Sequence, residues 1–467
     1  MIRQTLAAGA LLLATIPIAV PATAQSQQDE LDTRYDRALA AGYKALFLCS
    51  AIANAERAGT TRTPQSVHDW ELTGIQAPLD DIVRELPYEI MRNPAPDAQI
   101  RGVKVEWAED MPPRLALHDS QRGCSIMPIG GGGPPVVTLR EAPDMEMAWP
   151  EAQASAVLDA TVATAFEQEE GIGPRTTAVV VLQDGEIAAE RYAEGFNRNT
   201  PQRTWSVAKS ITATLVGAAV HRGEAKVDNK MGNGLPHAVL PEWSKAGDAR
   251  MLISIDHLLR MASGRYSDTP GNRTDPLYFG GSSVEETAVH WPLVHKPGTV
   301  YRYANNDTLM AVKAIAWSFD QHPPSAFFDQ VGMNHTVAET DWEGSYVLSS
   351  QVWSTARDLA LFGQLYLDDG VLPDGTRILP EGWVEYVSSP SGPQPEGRGF
   401  GYGAGFWLLN ASEGIPSDTF AALGNRGQHV VIVPSRKIVI VRRGEDPAGT
   451  RFDIEAFTRS VLKAIED

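Results

Sequence analysis

Ser206 and Lys209, in the run Trp205-Ser206-Val207-Ala208-Lys209-Ser210, put a hydroxyl and an amine three residues apart where an apolar stretch, Ile211 to Val220, begins. That stretch predicts a helix, and positions i and i+3 of a helix share a face, so the fold must present both side chains at one helix start. A serine is a weak nucleophile until a neighbouring group takes its proton, and an amine able to shed its own proton is such a group. Unpaired N–H groups at the helix start favour an anion forming there. Spacing alone does not define a site, because Ser460 to Lys463 repeats it in what reads as an ordinary terminal helix.

Two companions lie downstream. Tyr303-Ala304-Asn305 follows the Pro297-Gly298 turn and precedes an apolar run, Leu309 to Trp317, that reads as a helix. A loop so placed can hold a phenol and an amide at a cleft rim, where a phenol beside an ammonium exchanges protons. Leu423-Gly424-Asn425-Arg426-Gly427-Gln428-His429 leads into Val430 to Val433, a turn at Ser435-Arg436 and the run Ile438 to Val441. This predicts an antiparallel hairpin with glycines at the mouth of its first strand, where a backbone or substrate approaches closely.

Ser-x-x-Lys, Tyr-x-Asn and a small-residue triplet on a late strand, in that order, resemble the serine β-lactamase and penicillin-recognising superfamily, with class C-like spacing. Trp205 to Ser210, Leu259-Arg260-Met261-Ala262-Ser263-Gly264 and Gly424-x-x-Gly427-Gln428 look like its 6-aminohexanoate-dimer hydrolase branch. The resemblance covers residues 150–467. It implies an acyl-enzyme on Ser206, with Lys209 as proton acceptor and Tyr303 shuttling the proton to the leaving group. It also implies that Asn305 orients the lysine or substrate and that the N–H groups of Ser206 and Gln428 form an oxyanion hole. Asn425, Arg426 and Gly427 then line the substrate side, and no cofactor or metal is needed.

The third motif departs from the family's Lys-Thr-Gly or His-Thr-Gly. Asn425 is uncharged, and alternation along a strand turns Arg426 to the opposite face. This disfavours efficient β-lactam or D,D-peptide hydrolysis and leaves small amides and esters. The alternatives are a penicillin-binding-type protein with those activities, or a relative that binds without turnover. There is no Gly-x-Ser-x-Gly, no His-Glu-x-x-His and no Cys-x-x-Cys, and Ser267-Asp268-Thr269 is not the Ser-Asp-Asn of class A enzymes. Trp205, Tyr266, Phe406 and Trp407 are candidate pocket aromatics.

Met1 to Ala24 carries Arg3, an apolar run from Leu6 to Val20 and Ala22-Thr23-Ala24, which reads as a signal peptide cut before Gln25, or alternatively as an uncleaved anchor. Cleavage implies a periplasmic or secreted protein without stable membrane insertion. Export makes Cys49 and Cys124 a natural disulfide pair, two buried free thiols being the other reading. A net charge of -18, from 58 acidic and 40 basic residues, argues against nucleic acid as a partner and leaves a small amide or ester. Residues 25–128 read as a small N-terminal accessory region, helical over 30–58. Gly130 to Pro135 mark a linker over 129–149, and residues 150–467 read as the hydrolase domain. Within it Glu151 to Glu169 predicts an amphipathic helix, and Thr177 to Leu182 with Ile187 to Ala189 a hairpin about Asp184-Gly185. The expected class is α+β: an antiparallel sheet flanked by terminal helices, with a helical insert carrying Ser206.

Overall fold

The structure is a computed structural model describing residues 22–94, 98–132, 149–150, 155–167, 173–232, 247–266, 274–397 and 399–466. Most of the leader, most of the 129–149 linker, Ser267-Asp268-Thr269 and the start of the Glu151 helix lie outside the described residues.

The chain opens with helix α1 (Ala22–Arg57), then α2 (Pro64–Trp70) and α3 (Leu79–Glu85). A four-stranded antiparallel sheet follows: β1 (Tyr88–Arg92), β2 (Ile100–Val105), β3 (Arg114–Asp119) and β4 (Gly123–Ile126). Next come α4 (Ala156–Thr164), β5 (Thr176–Gln183), β6 (Glu186–Tyr192), β7 (Gln202–Arg203) and α5 (Val207–His221). The middle is mostly helical: α6 (Ile255–Leu259), α7 (Asp275–Tyr278), α8 (Val284–Ala288), α9 (Asn305–Ile315) and α10 (Pro324–Val331). Then follow β8 (Val337–Ala338), β9 (Val352–Ser354), α11 (Ala356–Leu367), α12 (Trp383–Ser388), β10 (Gly401–Tyr402) and β11 (Trp407–Leu408). The chain closes with β12 (Phe420–Gly424), β13 (Gln428–Val433), β14 (Ile438–Gly444) and α13 (Ile454–Glu466).

The main sheet has seven strands in the order β10-β11-β12-β13-β14-β5-β6, paired antiparallel throughout. Its central strands are buried on both faces, which is why they read as continuous runs of Val, Ile and Leu. Val179, Val181, Val431, Val433 and Ile440 pack with Leu158 and Val162 of α4 and Phe457 and Val461 of α13. The alternate set, Val180, Leu182, Val430, Ile432, Val439 and Val441, meets α5 and α11 on the other face. The β5–β6 turn uses Asp184 and Gly185, both at positive φ (50° and 83°), as the Asp-Gly pair requires. The sheet, its terminal helices and the helical insert are those the sequence predicts.

The N-terminal region shares its core with the rest. Ser26–Arg57 is long and apolar enough to cross a bilayer, yet its apolar window is entirely buried inside the protein. The helix lies so close to the insert that a Cβ on Gly42 would fall 1.9 Å from the Phe279 carbonyl oxygen. Tyr43 and Phe47 stack at 4.2 Å, and Phe47 meets Trp205 at 5.9 Å and Trp353 at 6.0 Å. At a second seam the buried Arg62–Glu71 pair lies in the N-terminal region, while Arg426 pairs with Glu445 (2.7 Å) and donates to the carbonyls of Trp70 (2.8 Å), Thr73 (2.9 Å) and Gly74 (3.0 Å). Breaking one member of such a buried pair strands its partner's charge, so the seam locks the two regions together.

Cys49 of α1 and Cys124 of β4 form a disulfide spanning 75 residues. By closing that loop in the unfolded chain it contributes about 4 kcal/mol in the chain-entropy picture. Replacing both cysteines by serine should lower the denaturant midpoint accordingly, and an unchanged midpoint would contradict this role.

Candidate active site

Ser206 is the N-cap of α5, and the residue before it, Trp205, stands at φ 49°. A left-handed conformation at a bulky residue is costly and persists only where its surroundings enforce it. An N-cap serine usually bonds back to the helix, but this one makes no capping bond. Its hydroxyl instead lies 2.9 Å from Lys209 Nζ, one turn along.

Lys209 Nζ has three oxygens around it: Ser206 Oγ at 2.9 Å, Asn305 Oδ1 at 2.7 Å and the Ser349 carbonyl at 2.9 Å. The side chain is buried, with no carboxylate bonded to it among the described residues. As an ammonium it donates to all three. As a neutral amine it has two N–H groups and one lone pair. The amide and main-chain oxygens only accept, whereas the hydroxyl can donate, so the neutral form turns its lone pair to Ser206. Burial pushes the Lys209 ammonium down from 10.5 to about 7, so the neutral form is accessible near neutrality.

Asn305 opens α9, and its amide is held from behind: Nδ2 donates to Thr274 Oγ1 at 2.9 Å, which keeps Oδ1 toward the lysine. Tyr303, two residues earlier, places its ring centre 5.0 Å from Lys209 Nζ. The ring stacks on Trp407 (5.4 Å) and meets Tyr402 edge-on (6.2 Å), so aromatic packing fixes the phenol.

Gly424 ends β12 against Ser206, where a Cβ would fall 3.1 Å from the Ser206 nitrogen and 2.4 Å from the Thr204 carbonyl oxygen. Only glycine lets the strand come this close. Asn425 next to it is exposed. Gln428 pairs with Gly424 across the hairpin and is buried, its amide bonded to the Arg443 guanidinium (2.6 Å) and the Gly444 carbonyl. Arg426 and Gly427 turn inward, Arg426 to Glu445 and the N-terminal carbonyls, Gly427 against the Arg442–Asp446 pair. The third motif therefore presents no free cation to a substrate.

The structure thus gathers Ser206, Lys209, Tyr303 and Asn305 in one place, with Gly424 and Asn425 beside them. Ser349 and Thr274 were not legible. Ser349 supplies a main-chain carbonyl, which no residue type signals, and Thr274 matters only for where it lies. Of the candidate aromatics, Trp407 backs Tyr303, while Trp205 and Phe406 are buried core. Tyr266 lines a cavity of about 190 Å³ with Met261, Gly264, Val300, Tyr301 and Arg302, beside the tyrosine loop. The second Ser-x-x-Lys lies on α13, where Ser460 Oγ only back-bonds to the Ala456 carbonyl.

An antiparallel sheet with a helical insert presenting a serine to a buried amine defines a serine hydrolase. The family model described as Beta-lactamase matches residues 163–452, and the chain belongs to that family. It is 25% identical over 299 residues to a 6-aminohexanoate-dimer hydrolase from Paenarthrobacter ureafaciens, covering 58% of this chain and 73% of that protein. It is 24% identical over 290 residues to penicillin-binding protein 4 of Amycolatopsis lactamdurans, covering 54% and 74%. A solved structure from Bacillus anthracis, provisionally assigned as a 6-aminohexanoate-dimer hydrolase, superposes with a TM-score of 0.57 at 22% identity, covering 69% of this chain and 88% of that one.

The expected role of Lys209 as proton acceptor carries a pH dependence. The amine accepts a proton only when neutral, so modification of Ser206 by a fluorophosphonate should rise with pH through a midpoint near 7. A rate that stays flat between about pH 5 and about pH 9 would contradict this.

Proposed function

We propose that this protein is an exported serine amidase or esterase that cleaves small amides or esters through an acyl-enzyme on Ser206. The observation that carries the reading is the Lys209 amine, buried without a carboxylate and held by two oxygens that can only accept while it faces a hydroxyl that can donate. In acylation, Ser206 Oγ attacks the substrate carbonyl carbon and its proton passes to Lys209 Nζ. The oxyanion is received by the Ser206 N–H and by a second N–H from the β12–β13 hairpin, for which the motif comparison names Gln428. Each such donor lowers the barrier by about 3 to 4 kcal/mol. The tetrahedral adduct collapses, the carbon–nitrogen or carbon–oxygen bond breaks, and Tyr303 passes a proton to the leaving amine or alcohol. Water then attacks the ester, giving its proton to the same Tyr303–Lys209 pair, which returns a proton to Ser206 Oγ as the ester bond breaks.

Two features favour small amides or esters over β-lactams and peptidoglycan stems. Asn425 is the exposed residue of the third motif and carries no charge, and the Arg426 guanidinium is committed to Glu445. The similarity to a 6-aminohexanoate-dimer hydrolase points the same way. Export is supported by the leader-like N-terminus and by the Cys49–Cys124 disulfide.

Intact-mass analysis after fluorophosphonate treatment should find one adduct on the wild type and none on Ser206→Ala. Hydrolysis of p-nitrophenyl esters or short amides should fall by about 10⁴-fold or more in Ser206→Ala and Lys209→Ala. Tyr303→Phe should slow both half-reactions, and a chromogenic β-lactam should be the poorer substrate. Near-normal turnover by Lys209→Ala would overturn the assigned base.

A further inference from the structure

Arg203 is a buried guanidinium with no carboxylate hydrogen-bonded to it among the described residues, Glu339 and Glu445 acting on it only through space. It lies on β7, three residues before Ser206, and is 1% exposed. Its Nε donates to the Ser350 carbonyl at 3.3 Å and its Nη2 to Ser350 Oγ at 2.9 Å, while Nη1 has no hydrogen-bond partner among the described residues. Aromatic rings, rather than a bonded carboxylate, surround the guanidinium. The Arg203 Cζ stands 4.2 Å from the ring centre of Trp205, 5.1 Å from Phe47, 5.4 Å from Tyr278 and 5.5 Å from Phe279. Ring faces carry negative electrostatic potential, and their attraction for a cation grows as water is removed.

The two ends of this cage are what a lysine-activated serine must hold fixed. Trp205, in its left-handed conformation, leads directly into Ser206. Ser350 follows Ser349, whose carbonyl accepts from Lys209. Arg203 bonds to neither Ser206 nor Lys209; it joins the residues beside them. One ring of the cage, Phe47, comes from α1, outside the residues 163–452 that match the family, and it touches Trp205 directly as well.

We propose that Arg203, caged by Phe47 of the N-terminal helix, is a positioning residue that fixes Trp205 and Ser350 relative to one another. It thereby sets Ser206 and the Ser349 acceptor of Lys209 in a single arrangement. The N-terminal region is then a working part of the catalytic unit, closing the cage from behind. This rests on Ser206 being the nucleophile.

The test compares fluorophosphonate labelling rates of the full chain as wild type, Phe47→Ala, Phe47→Leu, Phe47→Tyr and Leu79→Ala, with Tm measured alongside. Leu79, buried on α3 in the same region but outside the cage, reports destabilisation alone. At a temperature where each variant is folded, Phe47→Ala should label about tenfold more slowly or worse, because a small misplacement of a nucleophile is expensive. Phe47→Tyr, which keeps the ring, should label close to the wild-type rate, and Leu79→Ala should match wild type despite its lower Tm. If Phe47→Ala does not fold, Phe47→Leu makes the comparison, and it should be slower than Phe47→Tyr. Equal labelling of Leu79→Ala and the ring-less Phe47 variant overturns the cage alone. An unlabelled wild type overturns the nucleophile assignment and the cage with it.

Discussion

The Lys209 amine, buried without a counter-charge, is the interaction on which the site depends. Desolvation brings its pKa from 10.5 to about 7, so holding the proton is disfavoured by roughly 5 kcal/mol relative to water. A carboxylate beside it would undo that by stabilising the ammonium. The protein instead surrounds Nζ with a hydroxyl, an amide oxygen and a main-chain carbonyl, which satisfy its hydrogen bonds without neutralising its charge. The rest of the arrangement follows from that need. Asn305 is tethered by Thr274 so that its oxygen faces the amine, and Gly424 is small so that β12 can reach the Ser206 backbone.

The same economy of charge marks the cation three residues before Ser206. Arg203 lies among four aromatic rings and hydrogen-bonds to Ser350, and burial lowers its affinity for a proton. Other buried guanidinia are paired, Arg426 with Glu445, Arg442 with Asp446, Arg62 with Glu71 and Arg265 with Asp307, whereas Arg114 and Arg443 are held by carbonyls and the Gln428 amide. Arg426 also bonds to carbonyls of the N-terminal region and so joins it to the sheet, and Arg265 bonds to carbonyls of the helical insert. Ion pairs thus hold several parts of the framework, while neutral polar groups and aromatic faces surround Lys209 and Arg203.

The parts of this organisation that are local in sequence were legible from it. The Ser206–Lys209 spacing encodes a shared helix face, the runs 177–182 and 430–433 encode strands buried on both sides, and Asp184-Gly185 encodes its turn. The helical period of residues 30–58 anticipates α1, which the structure extends back to Ala22. Apart from the Cys49–Cys124 pair and the meeting of Lys209 with Tyr303 and Asn305, contacts between distant segments were not legible. The four-stranded sheet of the N-terminal region is built from short strands with only partial burial, so its apolar alternation is weak. Arg426 does point away from the substrate side, but through its left-handed place in the turn between β12 and β13 rather than through strand alternation, and its anchoring to Trp70, Thr73 and Gly74 depends on packing across some 350 residues. Ser349 acts through a carbonyl that every residue possesses, and Phe47 reads as one apolar position among many on its helix.

The most direct test is the titration of Lys209 itself. With lysines carrying ¹³C at Cε, the Lys209 resonance can be assigned by its loss in Lys209→Arg and followed by NMR against pH in the free enzyme. The expected midpoint is near 7. A midpoint near 10.5, the value of an exposed lysine, would mean that the amine is an ammonium at working pH and that another group takes the proton from Ser206.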